Sequence, residues 1–140
     1  MPRALKAKTT TPTKQKKINI LLVEDDTFLG GIYSTKLKNE GFNVIHAADG
    51  VAGLAMAKEM KPQLILLDIL MPKMDGFEVL QELKKDPLTK EIPVIMLTNL
   101  GQKEDVDKGL QLGAVDYLIK AHFVPVDTVA RIKKVLHKNS

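Results

Sequence analysis

Five short apolar runs, separated by segments with helical patterning, constrain the fold of this chain more than any other feature. Each run has the length of one strand, and they are INILLV (18–23), FNVIHA (42–47), QLILLD (63–68), PVIMLT (93–98) and AVDYLI (114–119). Runs that are apolar throughout are typical of strands covered on both faces. Five strands that alternate with helices indicate a parallel sheet.

The connections between these strands limit the order in which they can lie in the sheet. Right-handed crossovers leave few topologies, and the flavodoxin-like order 2-1-3-4-5 is the natural one at this size. We therefore predict an α/β fold, a doubly wound five-stranded parallel sheet with helices on both faces. The apolar faces of the first and last helices are expected to point inward, and they consist of Phe28, Ile32 and Leu37, and of Val126, Val129, Ile132 and Leu136.

The net charge of +4 arises from the N-terminal segment. Residues 1–17 hold six of the 21 basic residues and no acidic one, so the rest of the chain has 15 basic against 17 acidic residues. We interpret 1–17 as a disordered basic tail, because it has almost nothing apolar to bury, and 18–140 as one domain. This distribution argues against a nucleic-acid partner, except through the tail.

The apolar runs also bear on where the protein resides. None approaches the ~20 residues needed to span a bilayer, and the N-terminus lacks the apolar core of a signal peptide. Cysteine is absent, which excludes disulfides and thiolate metal sites and is compatible with a reducing compartment. We predict a cytoplasmic protein without membrane insertion.

Polar side chains stand at the ends of four of the predicted strands. Glu24 and Asp25 follow the first strand, Asp68 ends the third, Thr98 ends the fourth and Lys120 follows the fifth. Because the carboxyl ends of parallel strands share one edge of the sheet, we expect these side chains in one pocket. Asp26, the third acidic residue after the first strand, is instead expected to cap the first helix.

Three carboxylates in one pocket require a cation. Two of them about 4 Å apart repel by ~4 kcal/mol at an effective dielectric near 20. Oxygen ligands without His or Cys favour Mg²⁺, with Mn²⁺ as an alternative. Lys120 and Thr98 supply the donors that phosphoryl oxygens need. The pocket predicts phosphoryl transfer to a carboxylate, and we choose Asp68, since Glu24 and Asp25 form a pair suited to metal.

Four segments in order make the chain resemble the response-regulator receiver family over residues 18–137. They are the acidic run after the first strand, LLDILMPKMDG, MLT and DYLIK. The resemblance implies that Asp68 is the phosphoacceptor, that Asp25 binds Mg²⁺ directly and that Glu24 binds it through water. It further implies that the backbone carbonyl of Leu70 completes the coordination.

The same resemblance implies a switch and its partners. Thr98 and Lys120 would bind phosphoryl oxygens, and Tyr117 would turn inward when Thr98 moves. The donor would be a phosphohistidine on a histidine kinase or a phosphotransfer protein. An output protein would bind the face formed by helix 4, strand 5 and helix 5. The chain would promote its own phosphorylation and dephosphorylation only, and so would not be an enzyme acting on a free substrate.

The sequence departs from the family pattern at a few positions. Ala121 stands where the family usually has a proline after a cis peptide bond, and a cis bond before a non-proline residue costs ~3–4 kcal/mol. Asn99 is bulkier than the small residue that is common after the switch threonine. It is expected to narrow the entrance to the phosphorylated site. Leu70 and Leu100 are apolar, whereas related proteins often have polar side chains at these positions that guide the hydrolytic water. We therefore predict an acyl phosphate that hydrolyses slowly.

Other functions remain open at this point. A magnesium phosphatase would usually carry a second Asp two residues after the nucleophile, where this chain has Leu70. A binding module with a degenerate switch and a nucleic-acid binder acting through the tail are further alternatives. The polar ending HKNS favours a stand-alone receiver over one cut from a longer protein. No role is assigned to Gly30-Gly31, nor to the histidines, which are His46, His122 and His137.

Overall fold

The computed structural model describes residues 17–99, 102–120 and 125–138. Strands and helices alternate along the whole of this part of the chain. In order they are β1 (Asn19–Val23), α1 (Thr27–Asn39), β2 (Asn43–Ala47), α2 (Gly50–Met60), β3 (Leu64–Asp68), α3 (Gly76–Lys85), β4 (Val94–Thr98), α4 (Lys103–Gln111), β5 (Asp116–Ile119) and α5 (Pro125–Lys138). Every observed strand ends at the residue where the corresponding apolar run was predicted to end.

The five strands form one sheet in the order β2-β1-β3-β4-β5, with every neighbouring pair parallel. This confirms the predicted doubly wound sheet of order 2-1-3-4-5. All residues of β3 and β4 are buried, and a separate apolar cluster covers each face of the sheet. The continuous apolar runs therefore reflect strands covered by helices on both sides.

The register brings the carboxyl ends of the strands to one level. Val23 lies opposite Ala47 on one side and Leu67 on the other. Asp68 pairs with Leu97, and the residues that follow β1, β3 and β4 therefore emerge next to one another. We call this rim, with the loops that leave it, the carboxyl edge.

Two of the predicted inward helix faces were partly wrong. Phe28 is 76% exposed, because the buried face of α1 is centred on Gly30, Tyr33, Ser34 and Leu37. Leu37 is thus buried as predicted, and Ile32 is partly buried against the same apolar cluster. Val126 is 72% exposed, while Val129 and Ile132 on α5 are buried as predicted and Leu136 packs against the same apolar cluster. Both errors lie in the first turn of a helix.

Several predictions fall on residues outside the described part of the chain. These are the disordered tail, except for Lys17, and the statements about Leu100, Ala121 and His122. Within the described part, every helix is too short or too polar to cross a bilayer.

Candidate functional site

Three carboxylates converge at the carboxyl edge. Glu24, Asp25 and Asp68 each offer one oxygen within 4.8 Å of the others. Glu24 and Asp68 are buried, whereas Asp25 is exposed. The structure thus brings together the three carboxylates that the strand ends predicted, and it buries two of them while the third faces solvent.

Lys120 lies between the two buried carboxylates. Its Nζ is 2.8 Å from Oε1 of Glu24 and 3.0 Å from Oδ2 of Asp68, and its side chain is 11% exposed. Burial raises the pKa of Asp68 to about 7, with Glu24 adding to the rise and Lys120 opposing it. Burial would lower the pKa of Lys120, but its bonds to Glu24 and Asp68 outweigh this and raise it.

The turn from β1 into α1 separates the three consecutive acids by role. The side chain of Asp26 accepts a hydrogen bond from the backbone N–H of Leu29 at 3.0 Å, which confirms the predicted helix cap. Oε2 of Glu24 accepts from the backbone N–H of Asp26 at 3.1 Å. Since Asp26 is engaged by the helix, only Glu24 and Asp25 of the run are left to face Asp68.

A glycine holds the loop after β3 against the strand. The backbone N–H of Gly76 donates to the carbonyl of Ile69 at 2.8 Å. A Cβ at Gly76 would lie 2.2 Å from the carbonyl oxygen of Asp68, so only glycine permits this approach. Asp75 and Glu78 then form a reciprocal capping box that starts α3. The DG pair of the sequence thus fixes the backbone on which Asp68 stands.

A cavity of about 130 Å³ opens beside Asp68. This is roughly ten times the ~10–15 Å³ that one water needs, so a group of several atoms fits next to the carboxylate. Its lining includes the 67% exposed Leu70. The residues around it are Asp68, Ile69, Leu70, Thr98, Asn99, Gln102 and Asp105.

The predicted switch residues lie on neighbouring strands. Thr98 ends β4 and is buried, while Tyr117 on β5 is half-buried. Both line one narrow crevice between the sheet and α4. The guanidinium of Arg131 stands 5.7 Å from the centroid of the Tyr117 ring and donates to the Tyr117 carbonyl. Arg131 therefore contacts the residue from the α5 side, and the narrow crevice lies on the Thr98 side.

Sequence reasoning missed two residues near the carboxylates. Tyr33 on α1 is buried, and its pKa is raised by burial, opposed by Lys120 and increased by Glu24 and Asp68. His46 on β2 was given no role, yet its Nε2 lies 2.7 Å from the carbonyl oxygen of Glu24. Neither contact has a local sequence signal, because each joins elements that are distant along the chain.

The donor set fits a divalent cation of the Mg²⁺ type. Three carboxylates face a single ammonium group among the described residues of the site, which leaves a formal excess of two negative charges. All the candidate ligands are hard oxygens, and neither His nor Cys belongs to the group. A cation of charge +2 would balance the site.

Comparison with known proteins gives a family and close structural relatives. The family model described as "Response regulator receiver domain" matches residues 20–133. The DNA-binding dual master transcriptional regulator RpaA of Synechocystis sp. is 42% identical over 119 residues, which is 85% of this chain and 49% of that protein. The chain thus spans about half the length of the curated relatives that it matches.

Solved structures match over nearly their full length. A putative response regulator from Chloroflexus aurantiacus has a TM-score of 0.83 at 33% identity, covering 87% of this chain and 99% of its own. The chemotaxis protein CheY4 of Vibrio cholerae has a TM-score of 0.80 at 30% identity, covering 86% of this chain and 99% of its own.

Proposed function

The chain belongs to the response regulator receiver family, and on that premise we propose that it accepts a phosphoryl group on Asp68 in a Mg²⁺-dependent reaction. The observation that carries the proposal is the position of Lys120 between Glu24 and Asp68, beside a cavity that opens onto Asp68. A structural ion pair would account for one carboxylate. It does not account for a third carboxylate within 4.8 Å of that pair, nor for the cavity that Asp68 lines.

Asp68 is the nucleophile in this proposal. A carboxylate oxygen of Asp68 forms a bond to phosphorus while the bond from phosphorus to the imidazole nitrogen of a phosphohistidine donor breaks, and that nitrogen keeps the electron pair. Lys120 is already 3.0 Å from Asp68 and offers its ammonium group to a phosphoryl oxygen. Thr98 offers its hydroxyl from the end of β4. The donor is a histidine kinase or a phosphotransfer protein.

The cation would be held by Asp25, by Glu24 through water, by Asp68 and by the backbone carbonyl of Leu70. Mg²⁺ suits these ligands best, and Mn²⁺ is an alternative. When bound, the cation would favour the ionised form of Asp68 and neutralise charge on the phosphoryl oxygens. The chain would modify itself in this way rather than turn over a free substrate repeatedly.

The output of the switch passes through Thr98 and Tyr117. A hydroxyl drawn toward the phosphoryl group vacates part of the crevice that Thr98 shares with Tyr117, and the ring can then turn inward. This would change the face formed by α4, β5 and α5, where Arg131 contacts the carbonyl of Tyr117. A partner protein that distinguishes the two ring positions would read the signal.

Small-molecule phosphorylation tests the proposal. The purified protein is incubated with acetyl phosphate and Mg²⁺, and its intact mass is measured. We expect the mass gain of one phosphoryl group, which a chelator or Asp68→Asn abolishes. The matched control is Asp26→Asn, because Asn caps a helix about as well as Asp, and it should react like the unchanged protein.

Two results would contradict the proposal. One is phosphorylation of Asp68→Asn, and the other is phosphorylation that needs no divalent cation. Multiple turnovers of a generic phosphate ester would instead favour the phosphatase alternative.

A nucleic-acid output is a second candidate, contrary to the expectation from charge. The relative RpaA is named as a DNA-binding transcriptional regulator, and this name supports a transcriptional output for this chain. Duplex DNA binding would be measured at several salt concentrations with and without residues 1–17. Binding that weakens steeply with salt and disappears with the tail would support contact through that segment.

A further inference from the structure

His46 forms a side-chain hydrogen bond across the edge of the sheet. Its Nε2 lies 2.7 Å from the backbone carbonyl oxygen of Glu24. A carbonyl only accepts hydrogen bonds, so Nε2 must carry the hydrogen. The ring is half-buried on β2, the edge strand next to β1. It thus holds the backbone immediately before Asp25.

The contact begins where the strand ladder ends. The pairing of β1 with β2 finishes at Val23 and Ala47, after which the N–H of Glu24 donates to the carbonyl of Ala47 at 3.0 Å. Because β2 stops at Ala47, the carbonyl of Glu24 receives its hydrogen bond from the ring of His46 instead of from the backbone of β2. The peptide units on both sides of the Glu24 α-carbon are therefore tied to β2.

A glycine makes room for this ring. A Cβ built at Gly30 would lie 2.3 Å from Cε1 of His46 and 2.5 Å from Nε2, far inside van der Waals contact. A Cβ built at the next residue, Gly31, would meet nothing within 4 Å. Glycine inside a helix costs stability relative to alanine, and at position 30 the gain is access of the imidazole to Glu24.

We propose that His46, admitted by Gly30, is a positioning residue that fixes the backbone of the Glu24–Asp25 pair for the divalent cation. The inference rests on the proposed function for its reading of Glu24 and Asp25 as a metal-binding pair. His46 does not contact the cation itself, since it lies outside the group of carboxylates that share a centre. It acts by keeping the turn from β1 into α1 in the geometry that aims Glu24 and Asp25 at Asp68.

The first test compares substitutions at position 46 by their Mg²⁺ affinity. Backbone amide signals of Asp25 and Asp26 are followed by NMR during Mg²⁺ titration. His46→Ala is expected to bind Mg²⁺ about 3- to 10-fold more weakly, the range for loss of one hydrogen bond. His46→Gln keeps an N–H donor at the position of Nε2 and should recover most of the affinity. The side chain of Asn is one methylene shorter, so the N–H donor of His46→Asn does not reach the carbonyl and this variant should resemble His46→Ala.

The matched control is Asn43→Ala on the same strand. Nδ2 of Asn43 donates to Oδ1 of Asn19 on β1 at 3.0 Å, at the opposite end of β2. This substitution removes a polar contact between the same two strands but should leave Mg²⁺ affinity within about twofold of the unchanged protein, as expected for a surface site away from the carboxylates. A general weakening of the sheet edge would instead affect both variants.

The second test uses the neighbouring glycines. Gly30→Ala places a Cβ inside the ring of His46 and should weaken Mg²⁺ binding about as much as His46→Ala. Gly31→Ala makes the same change one residue later, with open space around its Cβ, and should leave the affinity unchanged. If His46→Ala does not fold, this pair of variants decides the matter.

The outcomes separate this inference from the proposed function. Should the unchanged protein take up no Mg²⁺, the proposed function fails. Hydrogen exchange of the Asp26 amide, which donates to Oε2 of Glu24, then tests His46 alone, and faster exchange in His46→Ala is expected. Should the unchanged protein bind Mg²⁺ and His46→Ala or Gly30→Ala bind it equally well, only the role of His46 is overturned.

Discussion

Polar side chains are buried under loops at both edges of the sheet. One is the carboxyl edge, and the other is the amino edge, where the strands begin and the loop 86–93 enters β4. At the amino edge, Nζ of Lys84 donates to the carbonyls of Lys90 and Ile92, each at 3.0 Å. The buried hydroxyl of Thr89 donates to the carbonyl of Leu83 at 2.7 Å. The ammonium group there bonds to neutral carbonyls, and burial lowers the pKa of Lys84 while the nearby carboxylate of Glu91 opposes this.

The carboxyl edge buries charge without balancing it. Two buried carboxylates pair with Lys120 and an exposed third lies within 4.8 Å of them, and burial raises the pKa of Asp68 to about 7. The same fold therefore has one edge arranged for stability and one whose ionised groups repel each other until another charge arrives. Sites of this kind are expected to carry function at the expense of stability.

The largest expected difference comes from removing the lysine at each edge. In the presence of a chelator, Lys120→Met leaves two buried carboxylates without their cation, and breaking a buried ion pair costs ~3–5 kcal/mol. Lys84→Met keeps the apolar stem and loses two hydrogen bonds to neutral carbonyls, for about 1–2 kcal/mol. Urea unfolding of both variants measures the two losses.

Added Mg²⁺ sharpens the contrast between these variants. A divalent cation should recover part of the stability lost by Lys120→Met, because it replaces the missing positive charge. It should leave the stability of Lys84→Met unchanged relative to the unsubstituted protein. Equal losses at the two edges, with no response to Mg²⁺ at either, would contradict the electrostatic distinction.

The two edges should also differ in whether loss of a polar group raises or lowers the free energy of unfolding. Without a divalent cation, Asp68→Asn removes one of the mutually repelling carboxylates while Lys120 keeps Glu24, so we expect a gain of about 1–2 kcal/mol in the free energy of unfolding. At the amino edge, Thr89→Val preserves the shape of a buried side chain but leaves the carbonyl of Leu83 unsatisfied, which should cost about 1–2 kcal/mol. Chemical denaturation measures both changes. If the free energy of unfolding changes in the same direction in both variants, the two edges do not differ in the way proposed.

Much of the carboxyl edge could be predicted from the sequence. The strand ends follow from apolar runs that stop at a polar residue, and parallel pairing then brings all such residues to one rim. The convergence of Glu24, Asp25 and Asp68 was obtained in this way. The position of Lys120 between two carboxylates required coordinates, because the sequence does not say which neighbour an ammonium group joins.

Helix phase and long-range contacts could not be obtained from the sequence. In α1, Phe28 and Ile32 form one apolar row and Leu29 and Tyr33 form the adjacent row, so the 3.6-residue period fits both. The structure buries Tyr33 of the second row, packs Ile32 of the first row partly against the same cluster and exposes Phe28. His46 is harder still, since its contact spans 22 residues and depends on a helix glycine that offers no side chain.

The smallest expected effect separates chemistry from stability within the carboxyl edge. Leu70 is 67% exposed and lines the cavity beside Asp68, where it presents no polar group to an incoming water. Leu70→Asn should speed loss of the phosphoryl group by about 2- to 5-fold, which corresponds to less than ~1 kcal/mol of barrier. Its free energy of unfolding should change by no more than about 0.5 kcal/mol, as for other exposed positions.

The intact mass of each phosphorylated protein, followed over time after the phosphodonor is removed, gives its decay rate. Leu88→Asn is the control, because Leu88 is an exposed leucine at the amino edge and should leave the decay unchanged. A half-life of seconds in the unchanged protein would show that Leu70 does not slow hydrolysis. Equal decay in all three proteins would place the control of water elsewhere on the rim. Acceleration by Leu70→Asn alone would mean that exposed positions at the carboxyl edge tune the lifetime of the signal, while its buried charges determine whether the signal forms.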